Sequence, residues 1–303
     1  LYIPNLMNMR KLSLLLFAVF FVLNTFAQFG TFEKKADIEK FKDTRVLVVM
    51  FEDSAYNASV AYAMERYWTY SDFDFVADYD VQKFRKGNYA FLIFSKAKGA
   101  KIKAKLGSSE ADFNGLALLN KYSKRATAEN LLAYSLCSNV IDTNDWKSEM
   151  VRGVQLLNNY FNLAGQAARD KDISESVMMG DYPTDKKVLF DKKLLIEYKQ
   201  LTLKGKEDPN EAYGGELDAE VERDEIQRAI LKQDNSVIYF FYSKSESTCH
   251  KLFVSAEYSE LLYYTSASPT KCNCELKDLQ ALKDMREEYV QNREKKSKKG
   301  GDD

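Results

Sequence analysis

GNYAFLIFSK at residues 87–96 and NSVIYFFYSK at residues 235–244 are two apolar, aromatic-rich runs that both end in Ser-Lys. Apolar runs of this length, bounded by turn residues, are typical of buried β-strands. The two runs begin 148 residues apart in a chain of 303 residues. They therefore raise the hypothesis that the chain contains one structural unit twice.

The residues around the first run predict a fixed order of elements. A buried strand at 44–51 comes first, then a tyrosine-rich helix at 54–70, a strand at 72–77 and a short helix at 78–87. Two more strands follow the run, at 100–107 and 113–120, with turns at Gly99 and at Ser-Ser-Glu-Ala-Asp (108–112).

The residues around the second run repeat most of this order. A strand at 186–193 takes the place of 44–51, and the segment 194–203 is the candidate for the helix after it. Residues 219–230 match the first half at a constant offset of 145, with Val221 for Val76 and Ile226 for Val81. The hairpin at 250–266 supplies the closing strands. Each half is thus predicted to be β-α-β-α-β-β-β, a mixed sheet with packed helices.

The remaining segments are predicted to be helical. One helix is expected at 127–136, a stronger one at 147–170 with a single apolar stripe, and an amphipathic one at 275–291. The stripe of the second helix consists of Met150, Val154, Leu157, Phe161 and Ala164. The predicted fold class is α+β or α/β, with the following organisation: a signal peptide (1–27), a first repeat (28–120), a helical linker region (121–185), a second repeat (186–270), and a C-terminal helix with a charged tail (271–303).

Residues 1–27 have the pattern of a cleavable signal peptide. Arg10 and Lys11 precede an apolar run of about 15 residues, and Thr25 and Ala27 occupy the −3 and −1 positions of a cleavage site. The alternative is a membrane anchor, but a span needs about 20 residues. No cysteine precedes Cys137, so none stands at the cleavage site to carry a lipid. We expect a periplasmic or secreted protein with no stable membrane span after cleavage.

The charge balance argues against nucleic acid as a partner. The whole chain has a net charge of −1, and the chain without residues 1–27 has a net charge of −3. A near-neutral chain has no general attraction to nucleic acid or to anionic membranes.

The four cysteines are interpreted as disulfide formers, because the expected compartment is oxidising. Cys249 opens the hairpin, and folding about its turn brings it close to Cys272 and Cys274. One of these two is therefore its expected partner, while Cys137 takes the remaining cysteine or stays free. The alternative is a zinc site that includes His250, but these residues lack the usual spacer of two to four residues between ligands.

Glu52 and Asp53 follow the first predicted strand and are candidate ligand-facing residues. The carboxyl ends of strands in open α/β sheets are where ligands bind, and a pair of acids there is typical of a Mg²⁺ or phospho-acceptor site. The alternative is that Asp53 or Ser54 caps the following helix.

Lys101, Lys103 and Lys105 share one face of a predicted strand, which Lys96 and Lys98 precede. This lysine strip is a candidate for binding a small anion, a polysaccharide or a lipid headgroup. The alternative is an edge strand whose lysines oppose aggregation between sheets.

Several enzyme classes lack their residues in this sequence. His250 is the only histidine, which argues against catalytic triads and most hydrolytic metal sites. No C-x-x-C, G-x-G-x-x-G or P-loop motif occurs, so no cofactor or metal is predicted.

The sequence resembles one group of envelope proteins in its overall features. The segment ending in Phe-Ala-Gln (26–28), the aromatic- and lysine-rich chain and the paired α/β repeats resemble uncharacterised secreted cell-envelope proteins of the Bacteroidota. The strand–helix–strand opening is similar to the N-terminal α/β modules of periplasmic assembly proteins of the TolB kind, an analogy of fold. The resemblance carries no functional residues across.

The leading hypothesis is a non-enzymatic envelope protein that acts as a scaffold and binds a protein or glycan partner. The alternatives are a carboxylate-based hydrolase or ligand-binding enzyme starting from Glu52 and Asp53, and a small-anion-binding protein that uses the strip from Lys96 to Lys105.

Overall fold

A computed structural model describes residues 35–84, 86–97, 99–106, 109–138, 145–166, 192–203 and 208–299. These residues form two five-stranded mixed sheets, a three-stranded sheet and a two-stranded sheet, with helices packed on them. The prediction of an α+β fold with mixed sheets is confirmed.

Six α-helices and two 3₁₀-helices occur in the described part of the chain. They are α1 (Lys35–Phe41), α2 (Ser54–Tyr67), α3 (Trp146–Gln166), α4 (Pro209–Tyr213), α5 (Arg223–Lys232), α6 (Leu276–Lys299) and the 3₁₀-helices Asp78–Phe84 and Ala128–Asn130.

The strands of the first half are β1 (Arg45–Met50), β2 (Phe73–Ala77), β3 (Tyr89–Phe94), β4 (Lys101–Leu106), β5 (Ser109–Asp112), β6 (Gly115–Leu119), β7 (Arg125–Ala126) and β8 (Leu131–Leu136). Those of the second half are β9 (Lys193–Glu197), β10 (Leu201–Thr202), β11 (Leu217–Val221), β12 (Val237–Lys244), β13 (Cys249–Ser255), β14 (Leu261–Ala267) and β15 (Cys274–Glu275).

The two large sheets have the same order of strands and the same strand directions. The first sheet runs β2-β1-β3-β6-β8 and the second runs β11-β9-β12-β13-β14. In each, the first three strands are parallel and the last two are antiparallel additions. The two apolar runs supply β3 and β12, the middle strand of each sheet. This likeness is one of topology, and the origin of the halves by duplication stays a prediction.

Three expectations about the first half are wrong. The helix expected at 127–136 is a short 3₁₀-helix followed by β8, because Leu131–Leu136 is buried on both faces and completes the sheet beside β6. The first sheet therefore extends past residue 120. The expected turn at 108–112 contains β5, and β4 leaves the large sheet to become the middle strand of the small sheet β5-β4-β7.

The start of the second sheet also differs from the prediction. The strand expected at 186–193 lies mostly outside the described residues, and the helix expected at 194–203 is wrong. The first strand is β9, whose side chains alternate between two cores: Leu195 faces one, while Leu194 and Ile196 face the other. The short helix α4 stands between β9 and β11, where α2 stands between β1 and β2.

Helix α3 is the central element of the fold. It packs against α1, α2, β6 and β8 of the first half and against α5 of the second. Residues 148–157 are buried on every side, whereas the sequence pattern predicted one apolar stripe. A helix is buried all round when other elements cover all its faces. The larger core around α3 accordingly contains residues of both sheets.

Polar side chains on α3 are paired inside this core. Glu149 and Arg152 form an ion pair with both side chains less than a tenth exposed. Glu149 also accepts hydrogen bonds from Ser138 at the end of β8, from its N at 2.9 Å and its Oγ at 2.6 Å. The Arg152 guanidinium lies 3.7 Å from the ring centroid of Phe241 in β12. The pair therefore connects the first sheet to the second.

The opposite face of the second sheet has its own core. Ile238, Phe240 and Phe253 join Leu194 and Ile196 there, and α4 and α6 cover them. Among the described residues, none of the helices combines the length and hydropathy that crossing a bilayer requires.

The hairpin β13–β14 and its cysteine pairing follow the prediction. Cys249 forms a disulfide with Cys272, with the two Cα atoms 5.5 Å apart. Cys137 and Cys274 are buried thiols. The disulfide uses two of the four ligands that the alternative zinc site would need.

We expect the ion pair on α3 to be sensitive to the loss of one partner. Arg152→Leu should lower the free energy of unfolding by about 3–5 kcal/mol, because Glu149 is left buried without its counter-charge. The double variant Glu149→Leu/Arg152→Leu should recover part of that loss, since it buries no charge. Urea unfolding of the two variants and the wild type measures this. A single variant as stable as the wild type would contradict it.

We also expect stability to fall in mildly acidic solution because of His250. Burial lowers the pKa of His250 to about 4 from an ordinary value of 6.5, and its Nδ1 lies 2.7 Å from the Tyr264 hydroxyl. The unfolded chain takes up this proton near pH 6.5 and the folded chain only near pH 4. Stability is therefore lost as the pH falls between these values, by about 2 kcal/mol from pH 7 to pH 5.

The His250→Gln variant isolates this contribution. Its loss of stability between pH 7 and pH 5, measured by urea unfolding, should be smaller than that of the wild type by about 2 kcal/mol. Equal losses in the two proteins would show that His250 is not responsible.

Candidate functional site

A cleft of about 940 Å³ opens at the carboxyl ends of β1, β2 and β3. These three strands are parallel, so their carboxyl ends meet at one edge of the first sheet. Open α/β sheets bind ligands at this edge, where the connections from a central strand diverge to its two neighbours. Glu52 and Asp53, the predicted ligand-facing acids, both line the cleft.

The turn after β1 is held by the side chain of Asn57 in α2 and by that of Asp53, which precedes the helix. Asn57 Nδ2 donates to the Phe51 carbonyl oxygen at 2.7 Å, and Asn57 Oδ1 accepts from the Phe51 backbone N at 3.0 Å. Asp53 Oδ1 accepts from the backbone N of Ala55 and of Tyr56, at 2.9 and 3.0 Å, so Asp53 is the N-cap of α2. The alternative interpretation of Asp53, that it caps the following helix, is therefore correct. Glu52 is exposed at the same turn.

A second wall is built around Asp78, which follows β2 directly. Asp78 accepts hydrogen bonds from the Tyr122 hydroxyl and from Lys124 Nζ. Burial and the bond to Asp78 raise the pKa of Tyr122, so its hydroxyl stays protonated and donates to the carboxylate. Lys124 Nζ also lies 5.8 Å from the ring centroid of Phe51. The acid is thus held by two donors from the segment before β7.

The lining of the cleft includes five aromatic side chains, those of Phe51, Tyr56, Tyr79, Phe94 and Trp146, and three of them pack on one another. Trp146, at the start of α3, has its ring centroid 4.9 Å from that of Phe94 and 5.4 Å from that of Tyr56. Tyr56 and Phe94 are buried, so these rings are packed on one another rather than free to turn. Tyr79 differs, because it is 83% exposed.

The cleft continues toward the second sheet. A neighbouring depression of about 630 Å³ shares Phe94, Lys96 and Trp146 with it. It also includes Lys244 at the end of β12 and Glu246 in the turn that follows. The two depressions therefore adjoin, and charged side chains of both signs line them.

The corresponding edge of the second sheet is closed. Arg223 follows β11 and donates to Glu197 at 3.2 Å and to Asp145 at 3.0 Å, while Gln227 also donates to Asp145. Among the described residues at this edge, these groups surround a cavity of about 40 Å³. Arg223 lies 145 residues after Asp78, the offset that relates Val221 to Val76. An acid in the open cleft thus corresponds to a base in the closed one.

Two lysines of the predicted strip lie away from the cleft, while Lys98 and the side chain of Lys105 lie outside the described part of the chain. Lys101 and Lys103 are exposed on β4 and are not among the described residues that line it, whereas Lys96 is. Lys103 is opposite Asp112 of β5 in the strand register, and Lys105 is opposite Glu110. The edge-strand alternative is wrong as well, because β4 is the middle strand of its sheet.

Sequence reasoning missed four side chains that line the cleft: Asp78, Tyr79, Lys124 and Trp146. Asp78 and Tyr79 follow a predicted strand directly, so the rule that selected Glu52 and Asp53 applied to them as well. Lys124 and Trp146 come from separate segments, and no local pattern marks them.

Comparisons of the chain with protein-family models, with curated proteins and with solved structures gave no match. The fold and the site define an α+β protein with two mixed sheets of the same topology, of which one carries an open cleft.

The two roles of Asp53, helix cap and cleft acid, can be separated by substitution. Asp53→Ala should lower the free energy of unfolding by about 1 kcal/mol, because two backbone N–H groups of α2 lose their acceptor. Asp53→Asn should be close to the wild type, since an asparagine side chain also caps. Thermal and urea unfolding compare the three proteins. Equal stability of the Ala variant and the wild type would show that the cap contributes nothing.

Proposed function

We propose that the protein is a non-enzymatic periplasmic or secreted binding protein that holds a glycan in the cleft at the carboxyl ends of β1–β3. The observation that carries the proposal is the contrast between the two sheets. The same edge is an open cleft of about 940 Å³ in one sheet and a cavity of about 40 Å³ in the other. A cleft kept open where its counterpart is filled is a surface available to a ligand.

The side chains of the cleft suit a polyhydroxylated ligand. Sugar hydroxyls both donate and accept hydrogen bonds, and the cleft offers a carboxylate acceptor in Glu52 and ammonium donors in Lys96 and Lys124. The exposed ring of Tyr79 provides an apolar face against which a sugar ring packs. The mixed signs of charge favour a neutral or zwitterionic ligand over a strongly charged one.

The arrangement of the acids favours binding over hydrolysis. Glycoside hydrolysis needs two carboxyl groups placed on either side of the scissile bond. Asp53 is engaged in capping α2, and Asp78 accepts from Tyr122 and Lys124. Both carboxylates therefore have a structural role, and the carboxylate-based hydrolase is the weaker alternative.

The small-anion alternative also has less support. Asp112 stands opposite Lys103 across the β4–β5 ladder, and opposite charges in such positions offset one another. The disulfide between Cys249 and Cys272 supports a place outside the cytosol, in agreement with the expected signal peptide.

A glycan array probed with the chain from residue 28 onward tests the proposal and supplies a ligand. Affinity is then measured by fluorescence in a Trp68→Phe background. Trp146 is then the sole tryptophan, and it lines the cleft. Tyr79→Ala should weaken binding about tenfold, equal to about 1.4 kcal/mol.

Tyr258→Ala is the matched control, because Tyr258 is also exposed, at 58%, and lies in the turn between β13 and β14. It should leave the affinity unchanged. An array without hits, or equal affinity in the wild type and the Tyr79→Ala variant, would contradict glycan binding in this cleft. Release of sugar from a bound glycan, abolished by Glu52→Gln, would favour the hydrolase instead.

A further inference from the structure

Lys251 is a lysine buried within the second sheet. It lies in the middle of β13, and its side chain is only 1% exposed. Its Nζ is 2.8 Å from Oδ2 of Asp278, whose side chain is 2% exposed in the first turn of α6. Lysine and aspartate are almost never fully buried unless paired. Neither residue lines the cleft of the first sheet.

A third acidic group borders the pair. Glu275 Oε2 lies 3.7 Å from Lys251 Nζ. The backbone N of Glu275 donates to Asp278 Oδ2 at 2.9 Å, which fixes the orientation of the carboxyl group that faces the lysine. An amine, a carboxyl group and a second carboxylate are thus held together by β13, β15 and the start of α6.

Apolar residues close to the three groups in the chain are buried on the same side of the second sheet. Phe253, Cys274 and Leu279 are all fully buried members of the core beneath α6. Keeping two ions in such an interior is costly, so a reaction that removes both charges is favoured there more than in water.

We propose that Lys251 and Asp278 condense to an intramolecular isopeptide bond. A bond forms between Lys251 Nζ and Asp278 Cγ, and one carbon–oxygen bond of the Asp278 carboxylate breaks. The ammonium gives up two protons, which leave with that oxygen as one molecule of water, and the product is a neutral amide. Glu275 takes one proton from Nζ, which frees the lone pair for attack, and passes it to the departing oxygen. No atom is oxidised or reduced.

The fold supplies what this condensation needs. Groups held in contact react with effective concentrations of about 10⁵–10⁸ M, which a free amine and acid in water never reach. The product ties β13 to α6 covalently, beside the disulfide that ties β13 to the segment before β15. The inference is independent of the glycan-binding proposal.

Mass spectrometry of the reduced, denatured chain tests the proposal. The wild type should be lighter than its sequence by the mass of one water molecule, and proteolysis should yield one branched peptide that contains both Lys251 and Asp278. The Lys251→Met and Asp278→Ala variants should have their full linear mass. Asp278→Asn should instead lose one molecule of ammonia, which separates this cross-link from any other dehydration.

Two further variants define the role of Glu275. Glu275→Gln leaves the reacting pair in place but removes the proton acceptor, so most of the chain should keep its linear mass. Glu287→Gln is the matched control, because it makes the same substitution at an exposed glutamate further along α6, and it should cross-link like the wild type. A wild-type chain at its linear mass, with Lys251 and Asp278 in separate peptides, would overturn the proposal even where the Lys251 variant does not fold. Full cross-linking in Glu275→Gln would overturn the role of Glu275.

Discussion

The ion pair between Glu149 and Arg152 on α3 is the interaction on which the architecture depends. Residues 148–157 of α3 are buried on every side, so their polar groups must find partners inside the protein. Glu149 finds Ser138 at the end of β8, and Arg152 finds the ring of Phe241 in β12. The pair therefore gives the buried charges of the helix their partners and also connects the two sheets. The two halves share one continuous core.

The residues at the start of the same helix explain why the carboxyl edge is open in the first sheet and filled in the second. Asp145 and Trp146 are adjacent, yet they serve opposite halves. Asp145 binds Arg223 and helps to close the carboxyl edge of the second sheet, while Trp146 packs on Phe94 and Tyr56 in the open cleft of the first. Two sheets of one topology thus acquire different edges because a single helix end lies between them. The corresponding positions also carry opposite charges, an acid (Asp78) at the open edge and a base (Arg223) at the filled one.

The sequence predicted the elements whose pattern is local and missed those that depend on tertiary packing. The runs that became β3 and β12, the hairpin with Cys249, and the place of Glu52 and Asp53 followed from strand patterns and turn residues. Leu131–Leu136 and residues 194–197 were predicted to be helical because short apolar runs buried on both faces carry no clear period. Burial of α3 on every side was equally hidden, since Glu149 and Arg152 read as a solvated face. Lys124 and Trp146 reach the cleft from segments that no spacing connects to it.

The way in which the cleft is built bears on how it would select a ligand. Its turn is clamped by Asn57, its acid Asp78 is held by two donors, and its rings pack against one another. Groups already fixed in place lose little conformational freedom on binding, so they provide affinity without a large ordering cost. The exposed side chain of Tyr79 is not held by burial. Ordering it against a ligand costs conformational entropy, which offsets part of the binding free energy that its contact contributes. Discrimination between ligands should then depend on how well each one orders Tyr79, while the packed rings set a common shape for all of them.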